Sequence, residues 1–143
     1  MLENPNLELE ILPVRYSKST GTSAVRVSIE DIRKNMAGLG PKVDPVSGRH
    51  GGSFSCFGDY SVELFVKYGD DTRPLFDVCA LAILKNHSWA EKVIVKGVSF
   101  DGENWGSLGN VERTIVIWEN FDKKSILDDF YTTMKNPTKP LVK

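Results

Sequence analysis

Histidine and cysteine are scarce in this chain: its 143 residues hold two of each, His50, His87, Cys56 and Cys79. Neither histidine has a second ligand at metal-binding spacing, so the sequence offers no zinc centre. With so few cysteines and no export signal, reduced, buried thiols are expected in place of a bridge. An excess of charge is missing as well. Eighteen Lys and Arg stand against 19 Asp and Glu, a net charge of −1. That balance gives no general attraction to nucleic acid or to an anionic membrane, and no sequence-specific nucleic-acid partner is expected. No apolar run approaches the ~20 residues of a membrane span. Residues 1–5 lack the basic start and apolar stretch of a signal peptide, which implies a protein assembled in a cytoplasm.

Catalytic patterns are missing too. His50 and Cys56 invite a thiol–imidazole pair, but a loop histidine near a buried strand cysteine is the simpler reading. The run Gly48-Arg49-His50-Gly51-Gly52 resembles a phosphate cradle without the spacing of a P-loop, and it reads better as a flexible loop. Asp70-Asp71, Asp128-Asp129 and Asp101 with Glu103 are acidic clusters without the ligand series of a calcium loop. Trp89, Trp105 and Trp118 have no basic stripe beside them, which favours core or interface packing over base stacking. No nucleophile, base and orienting group can be assembled, so a non-enzyme without cofactor or metal is expected.

What the chain does hold is an ordinary globular composition, 41% hydrophobic and 26% charged, at a length that suits one domain over 1–143. Residues 7–11 alternate apolar and acidic side chains, a half-exposed strand. Val25 and Val27 mark a second. Ser28-x-x-Asp31 has the form of a helix start, followed by Ile29, Ile32, Met36 and Leu39 at helical spacing. A bent continuation of the strand competes with that helix. Residues 38–52 carry five glycines and two prolines, which predicts a long interaction loop without regular structure. Residues 59–68 alternate so regularly that they read as the clearest long strand, with Phe65 on its polar face. Residues 75–84 are apolar nearly all round. Periodicity leaves helix or strand open there, and Pro74 with the Ala and Leu content favours a buried helix. His87 would then sit at the helix end, where a partial positive charge complements the dipole.

Residues 92–101 and 113–119 predict two apolar strands, with a turn at 101–104 and Gly97 as a bend. Ser125-x-x-Asp128 opens an amphipathic helix over 125–135 with Ile126, Leu127, Phe130, Tyr131 and Met134 in one stripe. Asn136-Pro137 ends it, and 136–143 form a polar tail.

The block from Lys92 to Phe121 resembles the C-terminal half of tail-tube proteins from contractile phage tails and related phage-like particles. The residues that carry the likeness are Lys96-Gly97-Val98, Phe100-Asp101, Trp105, Leu108-Gly109, Val111-Glu112 and the strand from Ile115 to Phe121. The connection between Asp101 and Val111 is shorter than in that pattern and a helix follows the last strand. A tube-initiator or tail-completion protein is therefore a variant of the same reading. The resemblance implies an α+β, mainly β fold: an antiparallel β-barrel or sandwich with one or two flanking helices and a C-terminal amphipathic helix. It also implies hexameric rings that stack into a hollow conduit inside a virion, with other tail or particle proteins as partners. Candidate assembly contacts are Arg49 and His50 in the long loop, Phe65, and Phe130 and Tyr131 in the last helix. The alternative is a small bacterial immunity or inhibitor protein that binds one toxin domain. A third reading is a small ligand-binding enzyme, with a site built from residues distant in sequence.

Overall fold

A computed structural model describes residues 7–15, 19–68, 71–96, 98–100, 105–107 and 114–137. Its elements run β1 (Glu10–Ile11), β2 (Arg26–Ser28), α1 (Ile29–Met36), β3 (Lys42–Ser47), β4 (Ser53–Cys56), α2 (Phe57–Tyr68), β5 (Thr72–Pro74), α3 (Phe76–Lys85), β6 (Glu91–Lys96), β7 (Val98–Phe100), β8 (Trp105–Ser107), β9 (Thr114–Glu119) and α4 (Lys123–Lys135). Single 3-10 turns stand at Thr22–Ala24 and His87–Trp89. β9 is the centre of a three-stranded sheet of order β1-β9-β6. β1 runs parallel to it, with Ile11 opposite Ile117, and β6 antiparallel, with Lys92 opposite Trp118. Three two-stranded ribbons, β2-β5, β3-β4 and β7-β8, complete the strands described. Helical residues outnumber strand residues, and no closed barrel forms among the described residues. The architecture is mixed helix and strand with small sheets, which corrects the expectation of a mainly β chain.

Much of that correction comes from 59–68, expected as a strand and found inside α2 (Phe57–Tyr68). The segment satisfies two periods at once. Read at helical spacing, Gly58, Ser61 and Phe65 form a buried stripe with the half-buried Val62 beside it. Phe65, stranded on the polar face of a strand, becomes the apolar anchor of a helix. Ser61 satisfies its hydroxyl by donating to the Phe57 carbonyl at 2.9 Å, and Gly58 N–H donates to Leu39 O at 3.0 Å. Helix wins because it buries the right residues.

The expected loop at 38–52 is in fact half of a hairpin. β3 pairs antiparallel with β4, with Val46 opposite Phe54 and an irregularity between Lys42 and Val46 where Pro45 falls. A proline is tolerated at such a break in the ladder. The glycines make the turn: Gly51 and Gly52 have φ of 93° and 79°, and Gly48 N–H reaches Gly52 O at 3.2 Å. Only glycine takes that backbone at little cost.

α1 follows its sequence signal. Ser28 accepts from Asp31 N–H at 3.0 Å while the Asp31 side chain reaches back, a full capping box. α3 is helical, but Pro74 belongs to β5, and Leu75 caps the helix without a side-chain bond. Asn86 ends α3 and its side chain accepts from Ser88, while the His87 ring lies 5.4 Å from that of Trp118. α4 starts two residues earlier than its Ser125-x-x-Asp128 signal suggests. Asp122 is the cap, accepting from the Ser125 hydroxyl at 2.7 Å and from Ser125 N–H at 3.1 Å, and the hydroxyl first, then the amide, hold its carboxyl below the usual range. Asn136 ends α4 as expected, and 138–143 lie outside the described residues. Residues 92–101 divide into β6 and β7. Gly97 and the expected turn at 101–104 also lie outside the described residues.

Two clusters make the core. Val25, Cys79, Ala82, Ile83, Trp118, Phe121 and Ile126 form one, between α3, α4 and β9. Val27, Ile32, Met36, Phe65 and Met134 form the other, between α1, α2 and α4. α4 supplies Ile126 to the first and Met134 to the second, and Leu127 packs against both. Each fully buried aliphatic side chain adds about 1.5–3 kcal/mol relative to exposure. No helix among the described residues is long and apolar enough to cross a membrane.

Candidate functional site

The five contact residues expected from the sequence do not share a surface. Arg49 and His50 stand exposed at the tip of the β3–β4 hairpin. His50 is tethered there: its Nε2 lies 3.2 Å from the Tyr68 hydroxyl, and its carbonyl accepts from Lys67 Nζ at 2.9 Å. Phe65 is buried in the second core cluster, so the expected exposed contact is corrected. Phe130 and Tyr131 are half-buried and pack against that same cluster. The Tyr131 hydroxyl is enclosed without a hydrogen-bond partner, and burial, then the Asp31 charge, push its pKa up to about 12.

His50 and Cys56 do not pair. The Cys56 thiol donates to Asp59 Oδ2 at 3.2 Å, and Asp59 also accepts from Gly38 N–H at 2.6 Å. The Gly38 amide, then the thiol, hold the Asp59 carboxyl below its usual range. A carboxylate so stabilised is a poor proton acceptor for a thiol. Beside it the hairpin and α2 enclose an open apolar groove of about 390 Å³, lined among others by Val43, Val46, Phe54, Phe57 and Tyr60. Of the acidic clusters, Asp128 pairs with Lys124 and Asp129 with Lys85, while Asp70, Asp101 and Glu103 lie outside the described residues. Among the described residues no His, Cys, Asp and Glu group is arranged to hold a metal.

The surfaces that stand out are geometric. The first is the pair of sheet edges. Among the described residues, no strand pairs with the outer side of β1 or of β6. The pleat sets Glu10, Val116, Ile94, Lys92 and Lys96 on one face, since Glu10 and Ile94 both lie opposite Val116. Glu10 Oε2 accepts from Trp118 Nε1 at 2.8 Å, and Lys92 Nζ sits 5.9 Å from the Trp118 ring. On that face one edge is acidic, with exposed Glu8 and Glu10, and the other basic, with exposed Lys92 and Lys96 around an Ile94 that is 64% exposed, while the exposed Glu91 of β6 lies on the opposite face.

The second is the outward face of α3, expected to be buried all round. Leu81 is 68% and Leu84 79% exposed, more than any other large hydrophobic residue described. Sequence reasoning missed both surfaces. The signal for the helix face was present: Asp77 and Lys85 bracket Ala80, Leu81 and Leu84 at helical spacing. The edges had no such signal, because strand order is not written in local pattern. Compared with known proteins, the chain matches no family model, no curated protein and no solved structure.

Proposed function

We propose that this chain is a structural subunit that joins edge to edge with copies of itself into a ring. The ring would be of the tail-tube kind, or of the piece that starts or completes such a tube. The observation that carries this reading is the open sheet with one acidic and one basic edge. β1 and β6 run in opposite directions because one is parallel and the other antiparallel to β9. Rotating one copy onto the next brings β6 against the neighbour's β1 in an antiparallel ladder that keeps the pleat. Glu10 then lies opposite Lys92 with Glu8 diagonal to Lys96, or Glu8 lies opposite Lys96 with Glu10 diagonal to Lys92. Either register adds about 0.2–1 kcal/mol per charge pair, beyond the ladder itself. Like edges reject each other, since two copies of β6 bring lysines together.

Such a contact is heterologous, so it closes into a ring when the rotation divides a full turn. The barrel expected within one chain is on this reading shared between chains, and it removes both free edges. Hexameric rings stacked along their axis would make the hollow conduit that the resemblance implies. A net charge of −1 suits a conduit that passes DNA without holding it.

The test is light scattering with negative-stain microscopy of the same fractions across a concentration series. Rings or tubes are expected from the native chain, their loss in Glu8→Lys, and their return in Glu8→Lys/Lys96→Glu. Both residues are exposed, so the variants fold. Native protein that stays a monomer or dimer at every concentration overturns the ring and turns attention to a toxin-like partner.

A further inference from the structure

The ring contact leaves the outward face of α3 unused. Asp77, Ala80, Leu81, Leu84 and Lys85 recur at intervals of three and four residues and are all exposed. They form one stripe, apolar in its middle, acidic at its start and basic at its end. Single exposed leucines on a surface need no explanation. Two on one stripe, closed at each end by opposite charge, make a self-complementary pattern.

The arithmetic of the helix settles the direction. Asp77 lies four residues before Leu81 and Lys85 four residues after it. At 1.5 Å per residue each charge stands about 6 Å along the axis from Leu81. A two-fold axis through Leu81 sets Asp77 of each copy against Lys85 of the other. A parallel pairing would set like charges together at both ends. Ala80 beside Leu81 lets the two helix axes approach closely. Next to the stripe, between α3 and α4, lies a groove of about 180 Å³ lined among others by Val78, Leu81, Ala82, Ile126 and Phe130. One surface therefore offers both a leucine ridge and an apolar hollow. Lys85 already pairs with Asp129 at the rim of that groove. An ammonium has three donors, so it can hold an incoming Asp77 as well.

We infer that α3 is a contact for a second copy of this chain, paired antiparallel across a two-fold axis at Leu81. The contact does not rest on the ring reading. β1 and β6 share no residue with α3, so either contact can fail alone. Where both operate with perpendicular axes, two rings join back to back in a closed dihedral particle.

The test is Leu81→Cys with a short thiol-to-thiol crosslinker, with Val66→Cys on α2 as the exposed control. Cys56 and Cys79 are 3% and 0% exposed and give little background. The expected result is a crosslinked dimer from Leu81→Cys well above the control, formed equally in the ring-breaking Glu8→Lys background. Adding Asp77→Lys turns two attractions into two repulsions and should weaken dimer formation about tenfold. A Leu81→Cys yield no higher than the control overturns the inference. So does a dimer that Asp77→Lys leaves unchanged, because its contact would not be the antiparallel one.

Discussion

Replacing Gly58 by alanine sets two known effects against each other. Alanine is the better helix former by about 0.8–1 kcal/mol, so propensity alone says that α2 gains stability. Packing says otherwise. A Cβ at Gly58 would lie 1.8 Å from the Met36 carbonyl oxygen and 2.8 Å from that of Leu39. Both are backbone atoms, at the last residue of α1 and in the turn after it, and neither can swing aside as a side chain could. To relieve the clash, α2 has to move away by more than an ångström. That shift breaks the Gly58 N–H bond to Leu39 O at 3.0 Å and strains the Gly38 N–H bond to Asp59 at 2.6 Å. A lost backbone bond costs about 0.5–1.5 kcal/mol and one to a charged group about 1.5–3. Overpacking itself adds about 1–3 kcal/mol. After the propensity gain, a net loss of about 2–4 kcal/mol is expected. Urea unfolding followed by circular dichroism should show the midpoint falling by roughly 1–2 M at an ordinary denaturant slope. A Gly58→Ala midpoint equal to or above that of the native chain would refute the close approach of α1 and α2.

Ser28→Ala removes the acceptor for Asp31 N–H and half of the capping box, and should cost about 1 kcal/mol. Ser28→Thr should keep most of that stability in the same unfolding assay, and equal loss in both would show that the cap contributes nothing. At alkaline pH the buried Cys79 thiol is pushed up to about 12, by burial first and then by the Asp77 charge, from an ordinary 9.0. The folded chain thus holds a proton that the unfolded chain releases. The thiol leaves stability unchanged below pH 9 and lowers it from there towards pH 12, with a slope approaching about 1.4 kcal/mol per pH unit. Tyr131 adds the same sign above its ordinary 10.0. Denaturant curves at stepped pH should show a shallower fall in Cys79→Ala, and an identical fall would remove the thiol from the account.

Local signals were legible where one physical cause dominated. Ser28-x-x-Asp31 marks α1 because its bonds are short-range, and the stripe from Ile126 to Met134 marks α4 because one face only is apolar. The α4 start shifted because Asp122 and Ser125 offer the same cap spacing two residues ahead of its expected start. β6 and β9 were legible as β-branched runs. α2 was not, since its residues alternate and also repeat at helical spacing, and only the position of α1 decides between them. β3 hid behind Pro41 and Pro45, which composition reads as loop. On the candidate surfaces, the hairpin tip carries Arg49 and His50 exposed, as a turn should. Phe65 misled because the wrong period put it on the wrong face. The edges of the sheet and the free side of α3 depend on what packs beside them, which no window of sequence contains.

The central place of β9 also bears on how the chain is made. β1 waits for it across more than a hundred residues: Glu10 and Trp118 are separated by 108 positions. α1, α2 and the hairpin pair mostly with neighbours between 26 and 74, and only Met134 and its α4 neighbours reach them from later in the chain. During synthesis β6 therefore emerges with neither side paired, carrying the apolar run 93–95. Long-range pairing of this kind is slow, and an unpaired apolar strand is open to wrong partners in the meantime. Lys92 and Lys96 flank the run and act as gatekeepers against other copies of β6. The two lysines that shape one edge of the finished sheet thus protect the nascent chain before that sheet exists.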